Sequence, residues 1–465
     1  MSDIPCTQSY RFTRRSLLAT AIGLLPLAHS RAATQVRAND FGATGDGRTL
    51  NTRAIQMAID EAARSGGTVV LQPGIYLTGA LFLKSGMRLQ VDEGVTIRGV
   101  HDLSAYPELP TRVAGIEMVW PAALINVYQQ AGVTISGKGV IDGDGKFWWD
   151  RYWRLRKEYD SKGLRWAADY DSKRVRLIQV YKSSDVHVQG LTLERSGFWT
   201  VHLCYSQRLH VDGITIRNNI DGRGPSTDGI DIDSSSDVLV ERCDIDCNDD
   251  ALCLKAGRDA DGLRVNRPTE NVIIRDCTIR GGAAGITAGS ETSGGIRNVK
   301  VSGLHVLARV PHGIYFKSAK TRGGTVEKIE ISDVQLEGVP VPIGITMNWN
   351  PSYSYAQLPA GMTKVPDYWK VLTEPVPPEK GLPHFRDVRI SGVVAAGARR
   401  AFEVNGYPDD PIQNFRFDRL DIHAKTAGKI SDAQNWTFTH TEIATEDGSR
   451  VSLIDCRNIK GLSKQ

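Results

Sequence analysis

The densest chemical potential in this sequence lies in three aspartates and a lysine: Asp228 in Ser226-Thr227-Asp228, the doublet Asp249-Asp250, and Lys317 in Tyr315-Phe316-Lys317. Four short phrases align on an apolar pair: Asp228-Gly-Ile230-Asp-Ile232-Asp233, Asp250-Ala-Leu252-Cys-Leu254-Lys255, Ala284-Gly-Ile286-Thr-Ala288-Gly289 and His312-Gly-Ile314-Tyr-Phe316-Lys317. If each pair points into a core, the residues between and after it point outward. The leading residues then form a column of Asp228, Asp250, Ala284 and His312. Stacked parallel strands lie about 4.8 Å apart, so Asp228 and Asp250 become neighbours, with Asp249 beside them. Carboxylates that close raise the pKa of at least one member, which keeps its proton near neutral pH while another stays ionised. One acid to protonate a leaving oxygen and one carboxylate to activate water is the arrangement that glycoside hydrolysis requires. Asn248-Asp249-Asp250 also reads as a turn, but a turn does not explain acids recurring on two coils with Lys317 two rungs away.

The elements that must position these residues announce themselves as an irregular repeat. A polar opener followed by alternating apolar residues begins at Asp185, Arg208, Asp237, Asn271, Asn298, Lys328, Asp387 and Asn414, and more weakly at Asn435. Period-2 alternation marks each piece as a half-buried strand, and its return every ~23 to 34 residues marks a solenoid. No single strand buries its inner face alone; stacked coils give a continuous interior. The economical fold is all-β, a single-stranded right-handed parallel β-helix. A sandwich would carry hairpin turns such as Asn-Gly, which are scarce. Near the start, Ile55, Ala58, Ile59 and Ala62 share one face of a helix that ends at Ser65-Gly66-Gly67 and would cap the open end of the solenoid. Two insertions, near 146–172 and 349–383, are rich in aromatics (Trp148, Trp149, Trp153, Trp349, Tyr353 and Trp369 among them). Such rings either stack on sugars or anchor their own loops.

A composition of 41% hydrophobic and 24% charged residues excludes a disordered or fibrous chain. The formal charge of +4 is no nucleic-acid footprint, and residues 1–32 supply most of it. There Arg14-Arg15 precede an apolar run, Leu17 to Ala28, too short to span a bilayer and followed by small residues. This reads as a Tat-type bacterial export signal. The expected organisation is therefore a signal over 1–32 and one β-helix domain over 33–465, periplasmic or extracellular, with no membrane anchor in the mature form. Seven cysteines include Cys6, leaving Cys204, Cys243, Cys247, Cys253, Cys277 and Cys456 for either disulfides or buried thiols. No CxxC or His-rich cluster has metal-site spacing, so neither metal nor other cofactor is expected.

From Asn39-Asp40-Phe41-Gly42-Ala43 to about residue 345, the chain resembles glycoside hydrolase family 28, the polygalacturonase and rhamnogalacturonan hydrolase family, whose fold is the pectin-lyase-like solenoid. Its Asn-Thr-Asp, Asp-Asp, Gly-His-Gly and Arg-Ile-Lys signatures match Ser226-Thr227-Asp228, Asp249-Asp250, Ala283-Ala284-Gly285 and Tyr315-Phe316-Lys317. The flanks Ser196-Gly-Phe-Trp-Thr-Val-His202, Gly257-Arg-Asp-Ala-Asp-Gly262, Gly289-Ser-Glu-Thr-Ser-Gly-Gly295 and Arg322-Gly-Gly324 resemble exo-acting bacterial members. The resemblance implies an inverting hydrolase of pectic poly- or oligosaccharides, with Asp249 as general acid, Asp228 and Asp250 holding the water, and Lys317 binding substrate. Departures stand at Ser226, at Ala284 for the histidine and at Tyr315 for the arginine. Losing a guanidinium fork weakens the case for a uronate in that subsite and suits a less charged sugar, such as rhamnose. His312, one rung beyond Ala284, is a candidate to replace the imidazole. Arg258, Glu291 and Arg322 are further substrate-side candidates, each equally readable as structural. The rivals are homogalacturonan hydrolysis, a β-helix polysaccharide lyase that would need calcium, and a pectin-binding protein without catalysis.

Overall fold

A computed structural model describes residues 34–462; the segment expected to direct export and Cys6 lie outside them. Alternating apolar residues wind into coils of three short parallel strands, each strand hydrogen-bonded to its counterpart on the coil before and after, in a right-handed parallel β-helix. One coil comprises Val201–Cys204, Gln207–Asp212 and Thr215–Arg217; the next comprises Ile230–Asp233, Ser236–Glu241 and Asp244–Asp246. The expected inward column is present in register: Ile230 pairs with Leu252, Leu252 with Ile286 and Ile286 with Ile314. All four are buried in one continuous apolar core. The amphipathic helix Thr52–Ser65 buries Ile55, Ala58, Ile59 and Ala62 and ends at Gly66 in the left-handed conformation.

The polar openers prove to be corner residues. Asp185, Arg208, Asp237, Asn271, Asn298, Lys328, Asp387, Asn414 and Asn435, joined by Asn458, which the sequence pattern did not mark, all have φ between 53° and 58°. Asn and Asp tolerate this left-handed region because their side chains bond locally. Here they also bond along the helix axis: Asn271 donates to Asp237 (3.0 Å), Asn414 to Asp387 (2.9 Å) and Asn458 to Asn435 (2.8 Å). The corner between second and third strands is two residues long on four successive coils: Gly190-Leu191, Gly213-Ile214, Arg242-Cys243 and Asp276-Cys277. By contrast, the chain makes long excursions on either side of the first strand.

One excursion was not legible. Glu108–Val113 and Ile116–Pro121 form an antiparallel hairpin turned at Ala114 and Gly115, both with positive φ. The first aromatic insertion forms the helix Lys146–Ser161, whose Trp148, Trp149 and Tyr152 are buried and anchor it to the core. The six mature cysteines are free thiols, five of them buried. No helix among the described residues is long and apolar enough to cross a membrane.

Candidate active site

Asp228 enters the strand Ile230–Asp233, and Asp250 enters the next one, Leu252–Lys255. Backbone bonds from Gly229 N to Asp250 O (2.9 Å) and from Ala251 N to Ala284 O (2.9 Å) stack these entries as the leading column required. Gly229 is obligatory there: a Cβ would lie 2.3 Å from the Ala251 carbonyl oxygen. Excursions from both edges of the first-strand stack roof the column into a narrow cleft lined by Asp228, Asp249, Asp250, Lys255, Glu291 and Lys317 among others. Phe198, Trp199, Trp349 and Tyr353 add aromatic walls. The second aromatic insertion is thus divided, with Trp349 and Tyr353 at the cleft and Trp369 buried in a separate apolar cluster with Trp166.

The three aspartates have different charge partners. Lys317 Nζ donates to Asp250 Oδ2 at 2.7 Å, and Thr287 Oγ1 donates to Asp250 Oδ1 at 2.9 Å. Burial alone would raise Asp250, but Lys317 and Lys255 outweigh it and hold the carboxyl below its ordinary value. Lys255 Nζ donates to Asp228 Oδ2 at 3.2 Å and is also 3.3 Å from Asp231 Oδ1 and 3.8 Å from Glu291 Oε2. One ammonium cannot neutralise three carboxylates, and Asp228 is pushed up by burial and by Asp231. Asp249 has no ion-pair partner among the described residues; burial, followed by the charges of Asp228 and Asp250, raises it from 3.8 to about 7. The lysines are sandwiched by rings, Lys255 Nζ at 4.7 Å from the Trp199 centroid and Lys317 Nζ at 4.4 Å from that of Trp349.

Asp228, Asp249, Asp250, Glu291 and Lys317 therefore meet in one cleft. Tyr315 and His312 lie beyond it, stacked on each other at 4.1 Å with 9° between their planes. Burial lowers His312 below its ordinary value and raises Tyr315 to about 12. Arg258 and Arg322, expected on the substrate side, are corrected by the structure. Both are fully buried behind the wall, where they clamp Asp259, and Arg258 also bonds the Tyr353 and Ser354 carbonyls. Sequence reasoning placed Asp231 and Lys255 in outward columns without assigning either a role, and missed Arg165 and Asp169. Asp169 is held at about 2: burial opposes this, but Arg165 and Arg174 outweigh it, and Asp169 accepts a 2.8 Å bond from Ser226. Nothing in the spacing of the insertion signals that meeting. Asp228, Asp250 and Cys253 lie within metal-ligating reach of one another, but both carboxylates already face ammonium groups, surroundings that disfavour a second cation.

Comparison with known proteins supplies the context. A family model described as glycosyl hydrolases family 28 matches residues 76–367, and one described as rhamnogalacturonase A/epimerase, pectate lyase-like, matches residues 35–94. A probable polygalacturonase of Vitis vinifera is 31% identical over 415 residues, covering 87% of this chain and 76% of that protein. An exo-poly-alpha-D-galacturonosidase of Dickeya chrysanthemi is 24% identical, covering 87% and 70%. The crystal structure of a hyperthermoactive exopolygalacturonase from Thermotoga maritima superposes with a TM-score of 0.70 at 26% identity, covering 91% of this chain and 92% of that one.

Proposed function

The chain belongs to glycosyl hydrolases family 28, and on that footing we propose that it hydrolyses α-glycosidic bonds of pectic poly- or oligosaccharides by inversion, with Asp249 as general acid. The names of its relatives support the pectic substrate. The contrast in charge partners carries the assignment of roles: Asp250 and Asp228 each pair with a lysine, whereas Asp249 has no ion-pair partner among the described residues, and burial with its carboxylate neighbours outweighs the more distant lysines. Asp249 delivers its proton to the glycosidic oxygen as the bond breaks. Asp250, held ionised by Lys317 and Thr287, acts with Asp228 to orient a water and accept its proton as it attacks the opposite face of the sugar. Asp228 must ionise and Asp249 must keep its proton, so activity rises and then falls with pH. The limits belong to the coupled cluster rather than to single residues. Proton NMR of the first product tests the mechanism: the expected anomer is inverted, and an initially retained one overturns it.

Exo action on chain ends is the mode we favour, supported by the aromatic excursions beside the cleft and by the names of relatives; release of short products from the first minutes tests it. Export by the twin arginine of residues 1–32 takes the enzyme to the periplasm or outside the cell, and retention of an Arg14→Lys, Arg15→Lys variant in the cytoplasm tests that route. A second reading, rhamnogalacturonan as substrate, is favoured by one observation. Tyr315 stands where the family carries arginine and stacks flat on His312, and a Cβ on Gly344 of the next rung would lie 3.0 Å from both rings. That apolar slab suits a deoxysugar. Parallel digests of homogalacturonan and rhamnogalacturonan oligosaccharides separate the two.

A further inference from the structure

Lys255 has no part in the family signatures, yet it is among the most constrained side chains of the cleft. It ends the strand Leu252–Lys255, the one whose entry carries Asp250, and is 5% exposed. Its ammonium meets Asp228 at 3.2 Å, Asp231 at 3.3 Å and Glu291 at 3.8 Å, with the Trp199 ring 4.7 Å away. These partners come from three places: the preceding coil, the loop that follows Gly289, and the stretch before Val201–Cys204. Asp231 is wholly buried, and neither of its carboxylate oxygens has a hydrogen bond among the described residues. A fully buried carboxylate with no donor is costly unless a charge compensates it, and the one within reach is Lys255.

Resting on the acid–base reading above, we propose that Lys255 is a positioning residue, held by Asp231 and Glu291, that favours the ionised form of Asp228 against its buried surroundings and aims it at the attacking water. Removing or adding charge around this ammonium must then move the ionisation of Asp228 in predictable directions. The other groups facing the pair are accounted for. Asp250, Asp249 and the Cys247 thiol approach Asp228 from the next coil, and Lys317 acts on it from two rungs further. Cys253 faces Lys255 from its own strand, and His202, held neutral by burial with its value lowered to about 4, faces it from two coils earlier. Of these, Asp250 and Asp249 also feel Lys255 directly, so its removal raises them together with Asp228 and moves the whole cluster in one direction.

The test is the pH dependence of kcat on a pectic oligosaccharide for the parent, Lys255→Met, Lys255→Arg and Asp231→Asn, with Asp249→Asn as reference. In Lys255→Met, kcat falls at least tenfold and the acid-side limb moves to higher pH. Lys255→Arg restores part of the rate and returns the limb. Asp231→Asn, which removes a competing anion while keeping the shape, moves the same limb to lower pH. Opposite displacements from these two neutralisations are not produced by a merely structural role, which would lower the melting temperature and leave the limb in place. An unmoved limb in both variants, displacements of the same sign, or a rise in KM at unchanged kcat would overturn the proposal. If Asp249→Asn retains full activity, it is the acid–base assignment that fails. If Asp249→Asn is inactive while Lys255→Met behaves as the parent, only the role of Lys255 fails.

Discussion

Consider replacing Lys317 by methionine, which keeps the length and packing of the side chain but deletes the ammonium 2.7 Å from Asp250. Breaking one half of a buried ion pair costs ~3–5 kcal/mol, because the remaining charge is left uncompensated. Asp250 has an escape, which is to take up a proton, and the effect of that escape depends on pH. In the parent, Asp250 is held below its ordinary value; its stabilisation is fully present above pH ~4 and is lost as pH falls through the folded-state value. In the variant, burial acts without Lys317 and the folded-state value moves above the ordinary one. The sign then reverses: stability is lost as pH rises from ~4 until the new value is passed. At pH 4 the proton is nearly free and the deficit against the parent is small. By pH 7 the same proton costs ~4 kcal/mol, since each tenfold change is worth ~1.4 kcal/mol, and the deficit approaches its ceiling. Denaturant unfolding of both proteins at pH 4 and pH 7 measures this directly. A deficit equal at the two pH values, or larger at pH 4, would refute the claim that Lys317 acts on Asp250 through charge.

Asp249→Asn is expected to lower kcat on natural substrate ~10²–10⁴-fold, the usual worth of a general acid, and far less on an aryl glycoside whose leaving group needs no proton; equal losses on both would remove Asp249 from the acid role. Gly229→Ala places a methyl 2.3 Å from the Ala251 carbonyl, so the two acid-bearing coils must separate; a lowered unfolding midpoint together with lost activity is expected, and parental behaviour in both would count against the close stacking. Asn298→Ala strains a corner at φ 56° and should cost ~1–2 kcal/mol, whereas Asn298→Gly should cost less, as read from denaturant midpoints; the reverse order would show that the corner is not held by its dihedral preference.

Much of the scaffold was legible because the repeat writes one physical demand many times. The inward pairs Ile230-Ile232 and Leu252-Leu254 follow from alternation, and their stacking alone implies the acidic column. The polar openers were visible as a pattern, although their left-handed geometry was not. Misreadings arose wherever a side chain's partner comes from a distant excursion. Arg258 and Arg322 looked substrate-facing because their common partner, Asp259, is one of many acids and nothing local marks it as buried. Lys255 showed its outward direction, but not the meeting with Glu291 and Trp199 from other loops. The hairpin escaped notice because Ala114-Gly115 turns it without the Asn-Gly dipeptide that usually marks such a turn.

The two-residue corners between second and third strands leave the chain no slack on that side, while every long excursion departs beside the first-strand stack. Evolutionary change in this architecture is therefore channelled. Lengthening, shortening or rewriting a loop next to the acidic column alters what the enzyme grips without disturbing the winding, whereas an extra residue at Gly213-Ile214 would have to bulge out between the paired corners of the coils before and after it. Divergence in diet can run ahead on one margin because the opposite margin is not free to drift.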